Sequence, residues 1–340
     1  MNAHIPIVPS VDKNGALSPQ IIPWDAFRKE GHKHPEQIVD GLLYRGTKCM
    51  IAGQSKSYKS HLLMQLSVCV SQGIHFLGMD TVKLPVVYIN MELPLFAMQA
   101  RFAKMNNCIL STEQNQNLLL LNCRGVEFGT NQLKDQLDEI SQFKPGMVVV
   151  DPIYKLATGM DENSAGEVGQ MLRVFDEICE YANAAVVFCH HFAKGNPGAK
   201  NVIDRASGSG VFARDFDTGI FISPHQWDGH FVLNPVLRNH PPMQEFVTHM
   251  QYPLMIRSSN ANPKKLAKPS GPTPQFTVQD IINGLGNNPQ KWAPAGKLKK
   301  QVIGTTGMSD STYHKLCKEA LDQSLLETRG SGRSTEYRGA

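Results

Sequence analysis

The stretch Ile51-Ala52-Gly53-Gln54-Ser55-Lys56-Ser57-Tyr58-Lys59-Ser60 decides how this chain is read. An apolar strand at 49–52 runs into it and a helix at 60–71 leaves it. In that setting main-chain N–H groups and a helix N-terminus can cradle phosphate. The spacing from Gly53 to Lys59-Ser60 is that of a phosphate-binding loop. Lys59 is placed to reach the β- and γ-phosphates of a nucleotide, and the Ser60 hydroxyl to hold Mg²⁺. Gly53, Gln54, Ser55, Lys56, Ser57, Tyr58 and His61 complete the cradle. One residue departs from the pattern. Tyr58 stands at the second glycine of such loops, a position where glycine often supplies a positive φ or a close backbone approach. Either the loop carries Tyr58 in ordinary φ/ψ, or the segment is not a nucleotide site.

Two further segments support the first choice. Met147-Val148-Val149-Val150-Asp151 is an apolar strand ending in an acid, which can orient a magnesium ion beside the loop. Val86-Val87-Tyr88-Ile89-Asn90-Met91-Glu92-Leu93-Pro94 is a strand followed by Glu92, a carboxylate able to take a proton from an attacking water. Around these, the pattern predicts strands at 49–52, 86–90, 118–121, 147–150 and 185–189 alternating with helices at 60–71, 95–105, 130–142 and 165–183. Near-continuous apolar strands between helices mean an α/β fold with a mostly parallel sheet covered on both faces. After residue 215 the pattern turns antiparallel-like, at 219–223, 230–237 and 244–249.

In order, the motifs are Lys59-Ser60, Met91-Glu92-Leu93-Pro94, Asp151, and Phe188-Cys189-His190-His191 followed by Phe192-Ala193-Lys194-Gly195. Over residues 40–257 this set resembles the RecA-like hexameric helicases, closer to the plasmid RepA branch and its AAA-type relatives than to DnaB. The resemblance implies a RecA-like P-loop core that binds ATP with Mg²⁺. It makes Glu92 the catalytic base, Asp151 the Walker B acid, and His190 or His191 a γ-phosphate sensor, the second of the pair being preferred. The segment 194–204 (Lys194 and Lys200 included) corresponds to loops that grip single-stranded DNA in such rings. Three arginines compete to complete a neighbouring subunit's site: Arg238, which resembles the family's finger, then Arg214, then Arg205.

Residues 1–40 form a polar, proline-containing arm with Trp24 and Phe27 as possible anchors, residues 41–257 the core, and 258–275 a Pro/Ser/Asn/Lys-rich linker. Beyond it, 276–340 reads as helices at 278–285, 295–303 and 311–323, then strands at 325–328 and 335–338 around Gly330-Ser331-Gly332. That pattern resembles a winged helix, which implies duplex DNA binding; a protein-docking platform is the alternative.

The chain has 340 residues, 41% hydrophobic and 19% charged, a globular balance with room for about two domains. Its net charge of +4 is unevenly spread. Residues 264–340 hold 12 Lys/Arg against 6 Asp/Glu, whereas the rest holds 22 against 24. A basic tail module on a near-neutral body suggests a polyanionic partner. Seven cysteines without C-x-x-C spacing argue against a disulfide framework and a structural zinc. No apolar run nears the ~18 residues of a membrane span, and no signal peptide opens the chain, so a cytoplasmic protein is expected. No G-x-G-x-x-G opens a helix after a strand, which excludes the dinucleotide oxidoreductases. The expectation is an ATP-hydrolysing, ring-forming (hexameric) DNA helicase or translocase in replication of a plasmid, phage or mobile element. The alternatives are a non-motor P-loop ATPase, recombinase-like or regulatory, and a DNA-binding regulator with a degenerate core.

Overall fold

The structure, a computed structural model, describes residues 10–11, 17–18, 21–29, 34–109, 114–156, 165–191, 215–267, 276–286 and 288–340. They fall into two compact units: Met1–Ser223 with Phe231–Ser258, and Pro224–His230 with Ser259–Ala340. The segment 194–204, Arg205 and Arg214 lie outside the described residues.

The first unit is built on a nine-stranded sheet. Strands β1 Lys48–Gly53, β2 Val86–Asn90, β3 Leu118–Asn122, β4 Met147–Asp151, β5 Ala185–His191 and β6 Thr218–Pro224 run parallel in the order β6-β1-β5-β4-β2-β3. The sheet continues through β7 His230–Leu237 to β8 Phe246–Gln251 and β9 Leu254–Ser258, the last two an antiparallel pair.

Side chains alternate across these strands, and both faces are covered. Cys49, Ile51, Val86, Tyr88, Met147, Val149, Val187 and Cys189 join one core with helices α1 Lys59–Gln72 and α2 Leu95–Ile109. Met50, Ala52, Val87, Ile89, Val148, Val150, Val186 and Phe188 join the other, with α3 Thr130–Asp135, α4 Leu137–Gln142 and α5 Ala165–Tyr181. Two-sided burial is why these strands read as unbroken apolar runs rather than as alternation. This is the α/β architecture with a mostly parallel sheet that the sequence predicts.

Two local readings change. The single helix expected at 130–142 is broken at Gln136, whose N–H is shared between the Gln132 and Leu133 carbonyls. The strand expected at 244–249 runs two residues later, and β9 beside it was not foreseen. Gln65 of α1 explains why β9 stays in place: its Nε2 donates to the Met255 carbonyl (3.0 Å) and its Oε1 accepts from the Met255 N–H (2.8 Å). A buried helical glutamine thus satisfies strand groups that no neighbouring strand reaches.

The second unit holds α6 Val278–Asn283, β10 Ala293–Pro294, α7 Ala295–Thr306, α8 Asp310–Asp322, β11 Leu326–Arg329 and β12 Glu336–Gly339. Its three strands are antiparallel in the order β10-β12-β11. Ile281, Leu298, Val302, Tyr313, Leu316 and Leu326 make its core. Ser309 caps α8, its hydroxyl accepting from the Thr312 N–H. The Arg329 and Arg338 guanidiniums lie 4.4 and 4.8 Å from the Trp292 ring centre. The stretch read as a linker is tied down in its first part, where Gln226 N–H donates to Lys265 and Ala267 N–H to Pro224.

Candidate nucleotide site

Parallel strands deliver their C-terminal ends to one edge of the sheet, the edge where α/β folds bind ligands. Here Gly53 is in register with His191 and Asn90 with Asp151. The loop after Gly53, the histidine pair, Asp151 and the Glu92 turn therefore emerge side by side. The period of two then sorts them by face. Tyr88, Asp151, Cys189 and His191 share the face of α1, the helix that follows the loop. His190, buried and in register with Ala52, falls on the opposite face.

The loop itself has no room for a side chain at Gly53, where a Cβ would meet Ser57 Oγ at 2.7 Å and Ile222 Cβ at 3.1 Å. Ser57 is buried and folds the loop back, its N–H and Oγ both donating to the Gln54 carbonyl (3.3 and 2.8 Å). Ser55 and Lys56 are exposed at the tip. Tyr58 corrects the expectation of ordinary φ/ψ at this position. It adopts φ 59°, ψ 25°, the left-handed conformation that a glycine would take there. Its ring packs edge-on against His61 and Phe231, each at 5.6 Å. Burial, reinforced by Arg101, pushes the His61 pKa down to about 4, so this side chain is neutral at physiological pH.

Lys59 Nζ donates to the Gly53 and Gln54 carbonyls (3.0 and 2.8 Å) and meets His191 Nδ1 at 3.2 Å. Burial lowers the Lys59 pKa, against the pull of Cys189, Asp151 and Glu92. Burial and then the Lys59 charge lower that of His191, which keeps Nδ1 an acceptor. Ser60 Oγ donates to Asp151 Oδ1 (3.1 Å). Asp151 also accepts from Tyr88 OH at Oδ2 (2.6 Å) and Cys189 Sγ at Oδ1 (2.9 Å). Burial raises the pKa of both donors well above their ordinary values, so each keeps its proton and fixes the carboxylate. Ser60 and Asp151 offer adjoining hard oxygens, a donor set that fits Mg²⁺. Glu92 is exposed beyond β2 and accepts from Tyr154 OH at Oε2 (3.1 Å). The Tyr154 ring lies 6.1 Å from that of His191.

Lys59, Ser60, Asp151 and His191 are thus one bonded cluster, with Glu92 joined to its rim through Tyr154. Arg238 is not part of it. Its N–H donates to Asp217, whose own N–H and carboxylate bond Lys48 at the start of β1. Gly53 ends that strand, so Arg238 sits at the other end of the sheet, roughly 15–20 Å away at ~3.3 Å per residue. Tyr88, Cys189 and Tyr154 were missed in the sequence. Their only signal is placement: Tyr88 and Cys189 have the same face as Asp151, and Tyr154 follows it by three residues.

Fold and site together define a RecA-like P-loop protein built to hold a nucleotide. The family model described as "AAA domain" matches residues 18–197, more than half of the chain, and the chain belongs to that family. Among solved structures it is similar to an ATPase domain at 11% identity and a TM-score of 0.52, over 68% of this chain and 95% of that one. It also matches a KaiC-like protein of the hyperthermophilic archaeon Pyrococcus horikoshii OT3, at 11% identity and a TM-score of 0.47, over 65% and 93% of the two chains. No curated protein matches the chain. No helix among the described residues is long and apolar enough to cross a membrane.

Proposed function

We propose that this protein is an ATP-hydrolysing, ring-forming DNA helicase or translocase. The observation that carries the reading is the convergence of Lys59, Ser60, Asp151 and His191 at one sheet edge, in the motif order of that class. The N–H groups of the loop and of the first turn of α1 bind the phosphates, and Lys59 exchanges its loop carbonyls for the β- and γ-phosphate oxygens. Ser60 and Asp151 would hold Mg²⁺, which when bound would neutralise charge on the β- and γ-phosphates. Glu92 accepts a proton as a water oxygen bonds to the γ-phosphorus and the bond to the bridging oxygen breaks. With Nδ1 accepting from Lys59, the His191 proton sits on Nε2, where it can donate to the γ-phosphate. His191 is the last residue of β5, and the chain next to it in sequence is the stretch read as the grip on single-stranded DNA.

Arg238 lies far from its own chain's loop, which supports a role in a neighbour's site and hence a closed homo-oligomer, a hexamer in this reading. The second unit, with its helices, three-stranded sheet and basic excess, is read as a winged helix contacting duplex DNA. The setting is cytoplasmic replication of a plasmid, phage or mobile element. A decayed core is disfavoured, because Tyr58, its main support, takes the glycine conformation. Single-turnover ATPase with and without single-stranded DNA tests the proposal. The wild type is expected to hydrolyse ATP faster with DNA, Lys59→Ala to lose nucleotide binding, and Glu92→Gln to bind with only slow residual turnover. A wild type that binds no nucleotide ends the reading.

A further inference from the structure

We propose that Tyr154 is the positioning residue for the Glu92 carboxylate, a role that rests on the reading of Glu92 as catalytic base. Glu92 lies past the end of β2 on an exposed turn, where neither strand nor helix restrains its side chain. The turn itself is bracketed from behind: Asn90 Nδ2 donates to the Leu93 carbonyl (2.8 Å) and Asn90 Oδ1 accepts from the Leu93 N–H (3.0 Å). The same Nδ2 donates to Asn122 Oδ1 (2.7 Å), tying the turn to β3. This fixes the main chain and leaves the carboxylate to swing on three side-chain torsions. Among the described residues, Tyr154 OH donates to Glu92 Oε2.

Tyr154 is well placed for that work. It stands on the 3₁₀ turn Ile153–Lys155, directly after the strand that ends in Asp151, and Ile153 beside it is buried. Its ring is flanked by His191 at 6.1 Å and by Lys155 Nζ at 5.5 Å. One 3₁₀ turn therefore links Asp151, proposed to hold the metal, to the carboxylate proposed to take the proton. Burial and the bond to Glu92 push the phenol pKa up to about 12, so it stays a donor throughout the working pH range. With Oε2 engaged, Oε1 is left as the face presented to water. A base held in one orientation keeps the reacting atoms aligned, and small displacements of such groups cost large factors in rate.

Single-turnover hydrolysis and fluorescent-nucleotide binding on the full chain, comparing wild type, Tyr154→Phe, Glu92→Gln and the double variant, test this. Tyr154→Phe keeps the ring and is expected to melt with the wild type. It should slow hydrolysis about tenfold with ATP affinity unchanged, and should add nothing in the Glu92→Gln background. A Tyr154→Phe rate equal to wild type, or the same loss in both backgrounds, overturns the positioning role while leaving the base reading intact. Glu92→Gln turning over like wild type overturns the base reading, and this proposal with it.

Discussion

Tyr58 offers a sharp perturbation, because its backbone and its ring pull in opposite directions. The left-handed conformation at φ 59° costs a residue with a Cβ about 1–2 kcal/mol. Glycine escapes that cost but loses roughly 0.5–1 kcal/mol through its freer unfolded chain. Tyr58→Gly should therefore be more stable than Tyr58→Ala by about 1 kcal/mol. Both variants lose the edge-on contacts to His61 and Phe231, each about 0.5–1.5 kcal/mol in full burial. Tyr58 is 38% exposed, so the lower end applies. Tyr58→Ala is then destabilised by about 1 kcal/mol and Tyr58→Gly stays near the wild type. Thermal melts followed by circular dichroism should separate the two by ~2–4 °C. ATP turnover of Tyr58→Gly should match the wild type, since the path of the loop is the same. If Tyr58→Ala is as stable as Tyr58→Gly, residue 58 is not left-handed and the account of the loop fails.

Lys48→Met removes a buried ammonium that lies 2.5 Å from both Asp176 and Asp215, and should lower stability by about 2 kcal/mol in urea unfolding. Burial alone would lower the Lys48 pKa, but these two bonds raise it overall; its contribution is thus complete at neutral pH and lost only as pH climbs past ~10.4. His61 has the opposite sign: with its folded pKa at about 4, against ~6.5 unfolded, the native state binds fewer protons and loses stability as pH falls through that window. His61→Asn should flatten the dependence of the melting temperature on pH between those values. If Arg238 completes a neighbour's site, mixing Arg238→Ala with Glu92→Gln subunits should restore DNA-stimulated turnover at about a quarter of interfaces; an inactive mixture refutes it.

What the sequence determined by itself was local and periodic. Apolar runs of four or five residues between helices announced the buried parallel strands, and Gly53 through Ser60 announced a loop between strand and helix. The ends of such strands carry chemistry wherever they lie parallel, so Asp151 and Glu92 stood out as candidates, while the choice between His190 and His191 stayed open. Which side chains meet was set by packing across the sheet. Tyr88 and Cys189 converge on Asp151 from positions 63 and 38 residues away, because strand register and face are set by pairing across the sheet. Tyr58 could be judged only from its dihedral angles, since a left-handed residue leaves no mark in composition. The same holds for Gln65 closing on β9, and for Arg238 at the far end of the sheet from Gly53. Propensity and spacing act over a few residues along the chain, whereas distance and burial come from packing among segments that the chain keeps far apart.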